Sequence, residues 1–539
     1  MADRDIQSSP TILSEQLTRR GFIKGAAIVG ATLGAAPLAA ACGDDSPGSS
    51  PSASTGEEPK RGGTLRVGIL GGSSKDTLDP NKAMSMTDQA FQYCLAEGLL
   101  GFTPDLKLEN RLAEEVTPNT DATEWTVRLK ADLVWQDGAP ITADDVVFTL
   151  QRILDPKAPM EGASTLPGLT VNGVTKVDAR TVKLTLEQPN AMLAEGLANR
   201  TCMMVPVGFD EKAKPVLCGP FKLKSFLPGQ QAVFEPFKDF WRGSPYVDEL
   251  TLIEFADPAA RVNALLGGSV DAIAELPAGQ QQAVMGASGF EQLSAKSGAW
   301  VPFCMRIDQK PFDDVRVRQA FRLIVDRQQM LENAYAGIGW IGNDIYSPFD
   351  PGYPADLLQR TQDLEQAKSL LKQAGYDNDL TLTLFSSDGI SPRAVAAAQV
   401  FAEQAKGAGV TVNVNKVDPG LFYGDKYLSY TFSMDIWNAR GYLLQAMQGS
   451  TPDALYNECH WEHPEWYSLV TEAVRTGDEA TRNDLVRQAA TIEFNEGGYI
   501  IPGFTNTLDA YSSKLGGVIQ DDGSGIPLAR YRLDTVYFK

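Results

Sequence analysis

Histidine is almost absent: the 539 residues include only His460 and His463. A zinc helix of the H-E-x-x-H type is therefore excluded, and no G-x-S-x-G nucleophile elbow, C-x-x-C pair or Walker A loop occurs. The glycines of "ILGGSSKD", Ile69–Asp76, lack the spacing that wraps a phosphate. "DDGSG", Asp521–Gly525, lacks the glutamate that closes a calcium loop. Cys459-His460-Trp461-Glu462-His463 gathers three possible metal ligands, but no second cluster completes four-coordination. An aromatic-rich loop with ordinary histidines is the preferred reading there, and no metal or cofactor is expected.

Positive charge is short as well. Lys and Arg number 48 against 68 Asp and Glu, a formal net charge of -20. Such a surface argues against nucleic acid and against adhesion to anionic lipid. With 43% hydrophobic and 22% charged residues, the chain reads as a soluble globular body large enough for two or more lobes. Beyond the N-terminus no apolar run has the length of a membrane span, and no internal repeat is visible.

The N-terminus carries an address. Gly25–Ala41 is apolar but padded with Gly, Ala, Thr32 and Pro37, and falls short of the ~20 strongly apolar residues of a spanning helix. Thr18-Arg19-Arg20-Gly21-Phe22-Ile23-Lys24 resembles the twin-arginine export signal. Ala39-Ala40-Ala41-Cys42 resembles a lipobox, with Leu38 one place earlier than favoured. Residues 1–41 are read as a twin-arginine lipoprotein signal and Cys42 as the lipidated residue; the alternative is a plain cleaved signal with Cys42 incidental. Residues 42–62, crowded with Ser, Pro, Gly and charge, read as a flexible leash. Setting Cys42 aside leaves five cysteines, an odd number. Cys202 and Cys218 flank a short connection and are the expected disulfide; the alternative is five buried thiols acting as small apolar residues.

Four stretches carry the folded body. In Glu124–Leu154, Trp125, Val127 and Leu129 alternate as a strand, and Asp137-Gly138 supplies a turn. Thr142 then caps a helix with Val146, Val147, Leu150 and Leu154 on its apolar stripe. Gly219–Phe255 reads as strand, Pro-Gly turn, strand, aromatic loop and strand. Ala259–Ile273 reads as a helix, a Gly-Gly stop and a strand. In Pro311–Gly339 a helix opens at Asp313-Asp314, with Val317, Phe321, Ile324 and Val325 at helical spacing.

In this order those stretches, with "WTVRLKADLVWQDGAPITADDV", "DDVRVRQAFRLIVDR" and "DLEQAKSLLKQAGY", resemble bacterial extracellular solute-binding proteins of family 5. These are the receptors of oligopeptide, dipeptide and nickel ABC importers. The resemblance implies an α/β fold: a two-lobed periplasmic-binding-protein-like clamshell of type II, closing on its ligand. Lobe I is expected at 63–300 plus 501–539, with an extra subdomain at about 102–201, and lobe II at 301–500. It further implies a monomer that binds a small-molecule or peptide-like ligand and delivers it to an ABC permease in the membrane. An exported enzyme is the distant alternative, and it would need a motif that is missing.

Peptide-binding relatives carry a W-x-x-D-Y segment whose aspartate pairs with the peptide ammonium. The matching "FSMDIWNARGYLLQ", Phe432–Gln445, keeps Trp437 but places Arg440 at that aspartate. A guanidinium there would repel an ammonium and suit a carboxylate or phosphate, so an ordinary free-amino peptide is not the expected cargo. The alternative is a shifted loop that leaves Arg440 on the surface. Ser386, Ser387 and Asp388 are further pocket candidates, against a reading as a plain turn. Met84 and Met86 would form an adaptable wall, with buried core the alternative. Tyr442 and Trp461 would stack on the ligand or pack in the core.

Overall fold

The computed structural model describes residues 59–539, apart from Gly72, Lys75, Met84, Asp105, Asp388, Gly389, Asp425, Asp453, Asp521 and Asp522. The export signal, Cys42, most of the leash, Met84 and Asp388 lie outside the described residues.

Three sheets organise the body. The largest has eight strands. Phe290–Trp300, Gly503–Ser512, Ala272–Ile273, Thr64–Leu70, Glu249–Phe255, Gln231–Pro236 and Phe221–Leu227 lie side by side, and Gly339–Ile341 pairs on the far side of Gly503–Ser512. A second sheet orders Thr411–Lys416, Thr381–Ser386, Phe432–Met434, Phe303–Met305 and Tyr499–Ile500. A third, wholly antiparallel, orders Ala113–Pro118, Glu124–Leu129, Thr181–Leu186 and Leu169–Lys176.

Local sequence explains much of this. Trp125, Val127 and Leu129 are buried on one face of their strand. Thr142 and Asp145 form a capping box at the start of helix Ala143–Ile153. Its buried stripe is Val146, Leu150 and Ile153, whereas Val147 and Leu154 are only half-buried. Asp257 caps helix Pro258–Leu266, and Gly268 leaves it at φ +71°, a conformation glycine adopts without steric cost. The Asp314 carboxylate caps Val315–Ile324, burying Val317, Phe321 and Ile324; Asp326 then caps a separate helix, Arg327–Ala334.

Two short, direct crossings link the first two sheets. Trp300 ends a strand of the first and Phe303 begins one of the second; the return runs from Ile500 to Gly503. Trp437 braces the crossing, exchanging backbone hydrogen bonds with Trp300 at 3.0 and 2.9 Å. Gly339–Ile341, inside the span expected for lobe II, pairs with Gly503–Thr505 of the first sheet. Gly339 permits that pairing, because a Cβ there would lie 2.3 Å from the Phe504 carbonyl oxygen.

The expected disulfide is corrected. Cys94, Cys202, Cys218, Cys304 and Cys459 are all free and buried. Cys202 and Cys218 share one apolar core, but each sulfur has its own neighbour. The Cys202 thiol lies 3.6 Å from the Thr165 hydroxyl, and the Cys218 thiol faces the Glu97 carbonyl at 4.0 Å. Burial pushes the Cys202 thiol up to about 11, so it stays protonated and unreactive at neutral pH.

Candidate functional site

The parallel strands Thr381–Ser386, Thr411–Lys416 and Phe432–Met434 end at the same edge of the second sheet. In open α/β sheets the carboxyl ends of strands are where ligands are held. Ser386, Ser387 and the segment from Asp435 to Arg440 all leave the sheet at this edge, next to the crossing.

Trp437 is only 7% exposed. Its ring stacks on Trp300 at 6.2 Å and meets Tyr456 edge-on at 6.1 Å, and its Nε1 donates to Glu458 at 2.8 Å. The Arg440 guanidinium covers it, 5.3 Å from the ring centroid. The Arg440 Nη1 also donates to the Gln448 side-chain oxygen. Burial lowers the proton affinity of this guanidinium; Glu161 raises it and Arg200 lowers it again. Both neighbours come from the part of the chain that precedes Phe221. Glu161 and Arg200 lie 3.4 Å apart. No carboxylate of the described residues comes within ion-pair distance of Arg440.

The other candidates lie in closely packed surroundings. Tyr442 is 1% exposed; its hydroxyl donates to Glu493 and accepts from Trp466 Nε1 at 2.9 Å, and its ring stacks on Tyr346 at 5.0 Å. Trp461 is 3% exposed and packs on His463 and Trp466. Both belong to one aromatic core behind Trp437, the alternative named for them. Ser386 and Ser387 are fully buried at the strand end, and the Ser386 hydroxyl has no partner. Met86, half-buried, opens helix Met86–Leu95 behind its Ser85 cap.

The two histidines have structural partners. His460 approaches Asp308 at 3.3 Å and the Leu428 carbonyl at 3.1 Å. His463 Nδ1 caps helix Pro464–Arg475 by accepting from Trp466 N. Among the described residues, no three His, Cys, Asp or Glu side chains converge as metal ligands.

The sequence reading missed a carboxyl pair. Asp435 accepts from the Tyr423 and Tyr427 hydroxyls at 2.9 and 2.8 Å, and Glu458 accepts from Trp437 and Tyr499. The two carboxyls affect each other's titration. Burial, then the neighbouring Asp435 charge, holds the Glu458 proton far above the ordinary carboxylate range. One signal existed: each is a lone acid in a mostly apolar, aromatic neighbourhood, "FSMDIW" and "LYNECHW".

Two α/β bodies joined by a double crossing, with polar groups converging beside it, define a solute-binding clamshell. The model of bacterial extracellular solute-binding proteins, family 5, matches residues 107–453, and the chain belongs to that family. The glutathione-binding protein GsiB of Escherichia coli (strain K12) is 27% identical over 478 residues, 85% of this chain and 93% of that protein. Among solved structures, the ABC transporter substrate-binding protein CtaP of Listeria monocytogenes superposes with a TM-score of 0.78 at 23% identity. It covers 89% of this chain and 100% of CtaP. The oligopeptide-binding protein AppA of Bacillus subtilis, solved with a nonapeptide, gives 0.70 at 20%, covering 89% and 100%. The protein is therefore a substrate-binding component of an ABC importer, acts outside the cytoplasm with an ABC permease, and is not an enzyme. No helix of the described residues is long and apolar enough to cross a membrane.

Proposed function

We propose that this receptor captures a small organic solute through an anionic group that docks on Arg440, and that ordinary free-amino peptides are not its main cargo. The observation that carries this reading is a half-buried guanidinium held by an amide and an indole face but by no carboxylate. A carboxylate or phosphate would supply the two parallel acceptors its planar fork is built to meet. Arg200 adds positive charge from the other lobe, and Glu161 gives a ligand ammonium or hydroxyl something to meet. The name of GsiB fits this chemistry, since glutathione carries two carboxylates.

In the same reading Arg19 and Arg20 direct export, Cys42 carries lipid, and the leash lets a monomeric body reach its permease. Lobe I comprises 63–300 with 501–539, and lobe II comprises 301–500. A second reading, as a plain peptide receptor, draws on the carboxyl pair Asp435 and Glu458 behind Trp437. Against it, both carboxyls already have tyrosine or tryptophan donors.

Mass spectrometry of what co-purifies with the mature protein from a metabolite extract tests the proposal. An anionic solute released unchanged is expected; a mixture of ordinary peptides would restore the second reading. For the tether, Cys42→Ala should move the protein from the membrane to the soluble fraction.

A further inference from the structure

A second charged centre lies in the first lobe, away from the crossing, where the C-terminal segment folds back. Leu528, Ala529, Arg530 and Tyr531 all have left-handed backbone, with φ of 48°, 53°, 57° and 51°. Such a run of non-glycine residues is strained and persists only when its neighbours hold it. Here Leu528 N donates to Asp509 at 2.7 Å, and Arg530 Nη1 donates to the carbonyls of Phe102 and Thr103 at 3.0 and 3.2 Å. The turn thereby brings Arg530, Arg532 and Asp534 against Glu97, Arg111 and Arg242, around one small cavity.

The charges there do not balance. Four guanidinium groups (Arg111, Arg242, Arg530, Arg532) line the cavity with two carboxylates (Glu97, Asp534), a local excess of +2 on a chain of net charge -20. Both carboxylates are already shared. Glu97 accepts from Arg111 at 2.8 Å and from Trp241 Nε1 at 3.2 Å; Asp534 accepts from Arg242 and Arg532, each at 3.3 Å. Glu109 answers Arg111 from the rim at 3.5 Å, but Lys130, 4.0 Å above the Trp241 ring, adds another positive charge nearby. Arg242 Nε and Nη1 are shut off from solvent and donate to nothing. Leaving buried donors of a charged group unmet costs more than the ~1–3 kcal/mol typical of a neutral one. The free space is about that of one water-sized sphere, too small for sulfate or phosphate.

We propose that this cavity is a binding site for a monatomic anion of the chloride class. The ion accepts from one of the unmet Arg242 donors, Nε or Nη1, faces Arg532, and fastens the left-handed C-terminal turn to the body of the first lobe. It is separate from the solute site and does not depend on the reading of Arg440.

Crystals of the full mature protein soaked in sodium bromide should show an anomalous peak between Arg242 and Arg532. The melting temperature should rise with halide above that in sodium gluconate at equal ionic strength, since gluconate does not fit, and should saturate. Arg242→Gln should lose the peak and weaken the halide response at least tenfold. Arg532→Gln provides the same readout if the first variant does not fold. The proposal is overturned by an absent bromide peak, by equal melting in both salts, or by an undiminished halide response in a folded variant.

Discussion

Asp344 is a buried charge and Arg440 a half-buried one, and their surroundings differ. Asp344 accepts from Arg327, Arg360 and the Ile501 N–H, and its side chain is fully shielded from solvent. Burial alone would raise its proton affinity, but the two guanidinium groups outweigh burial and hold the carboxyl below the ordinary range. Other donors of those arginines go to main-chain carbonyls, including Val325 and Phe494, while Arg327 Nε is buried without a partner. Arg440 has a single amide and the Trp437 ring. A charge the fold has answered holds the structure together; a charge left half answered is available to a solute.

The comparison can be broken most forcefully at Asp344. Asp344→Ala leaves two buried guanidinium groups without their carboxylate and should cost about 3–5 kcal/mol in denaturant unfolding. A loss under ~1 kcal/mol would mean that Asp344 is no more structural than Arg440.

Glu493 sharpens the comparison from the other side, as a buried carboxyl with no cation. Burial pushes it up to about 7, although donors on Tyr442, Tyr346 and Trp466 pull the other way. Its folded pKa is raised, so its contribution is fully present below the unfolded value of about 4.3 and is lost as pH rises through 7. The shift corresponds to on the order of 3 kcal/mol. Between pH 5 and 8 the wild type should therefore lose more stability than Glu493→Gln by roughly that amount. Parallel profiles would contradict the assignment, since Asp509 and Glu254, raised to about 7 and about 8, act equally in both proteins.

A smaller effect separates core from pocket. Tyr442→Phe removes one donor from Glu493 and the acceptor of Trp466 Nε1, and should cost about 1–3 kcal/mol of stability. Solute affinity should stay within about twofold. A tenfold loss of affinity would return Tyr442 to the ligand surface.

How much of this was legible in the sequence depended on range. Periods of two and of about 3.6 placed Trp125–Leu129 and the helix from Val315 correctly, because burial on one face is written into neighbouring residues. Trp437 was legible as the tryptophan kept from the W-x-x-D-Y segment, but its burial was not, because its stacking partner Trp300 is far away in the chain. Tyr442 and Trp461 read equally well as pocket or core; Glu493 and Trp466, supplied by later helices, assign them to the core. Spacing suggested a Cys202–Cys218 bridge, yet spacing does not set the direction of a Cβ, and Thr165 and Glu97 occupy the thiols instead. The four-arginine cavity was invisible, since its lining comes from segments spread between Tyr93 and Asp534.

Calorimetric titration of the recovered solute against wild type and Arg440→Ala tests the central claim most directly. Pairing between a buried ligand anion and this guanidinium predicts a loss of about 2–5 kcal/mol, at least some thirtyfold in affinity. The melting temperature of the ligand-free protein should barely move. Unchanged affinity in Arg440→Ala, together with tight binding of ordinary dipeptides and tripeptides by the wild type, would contradict the account.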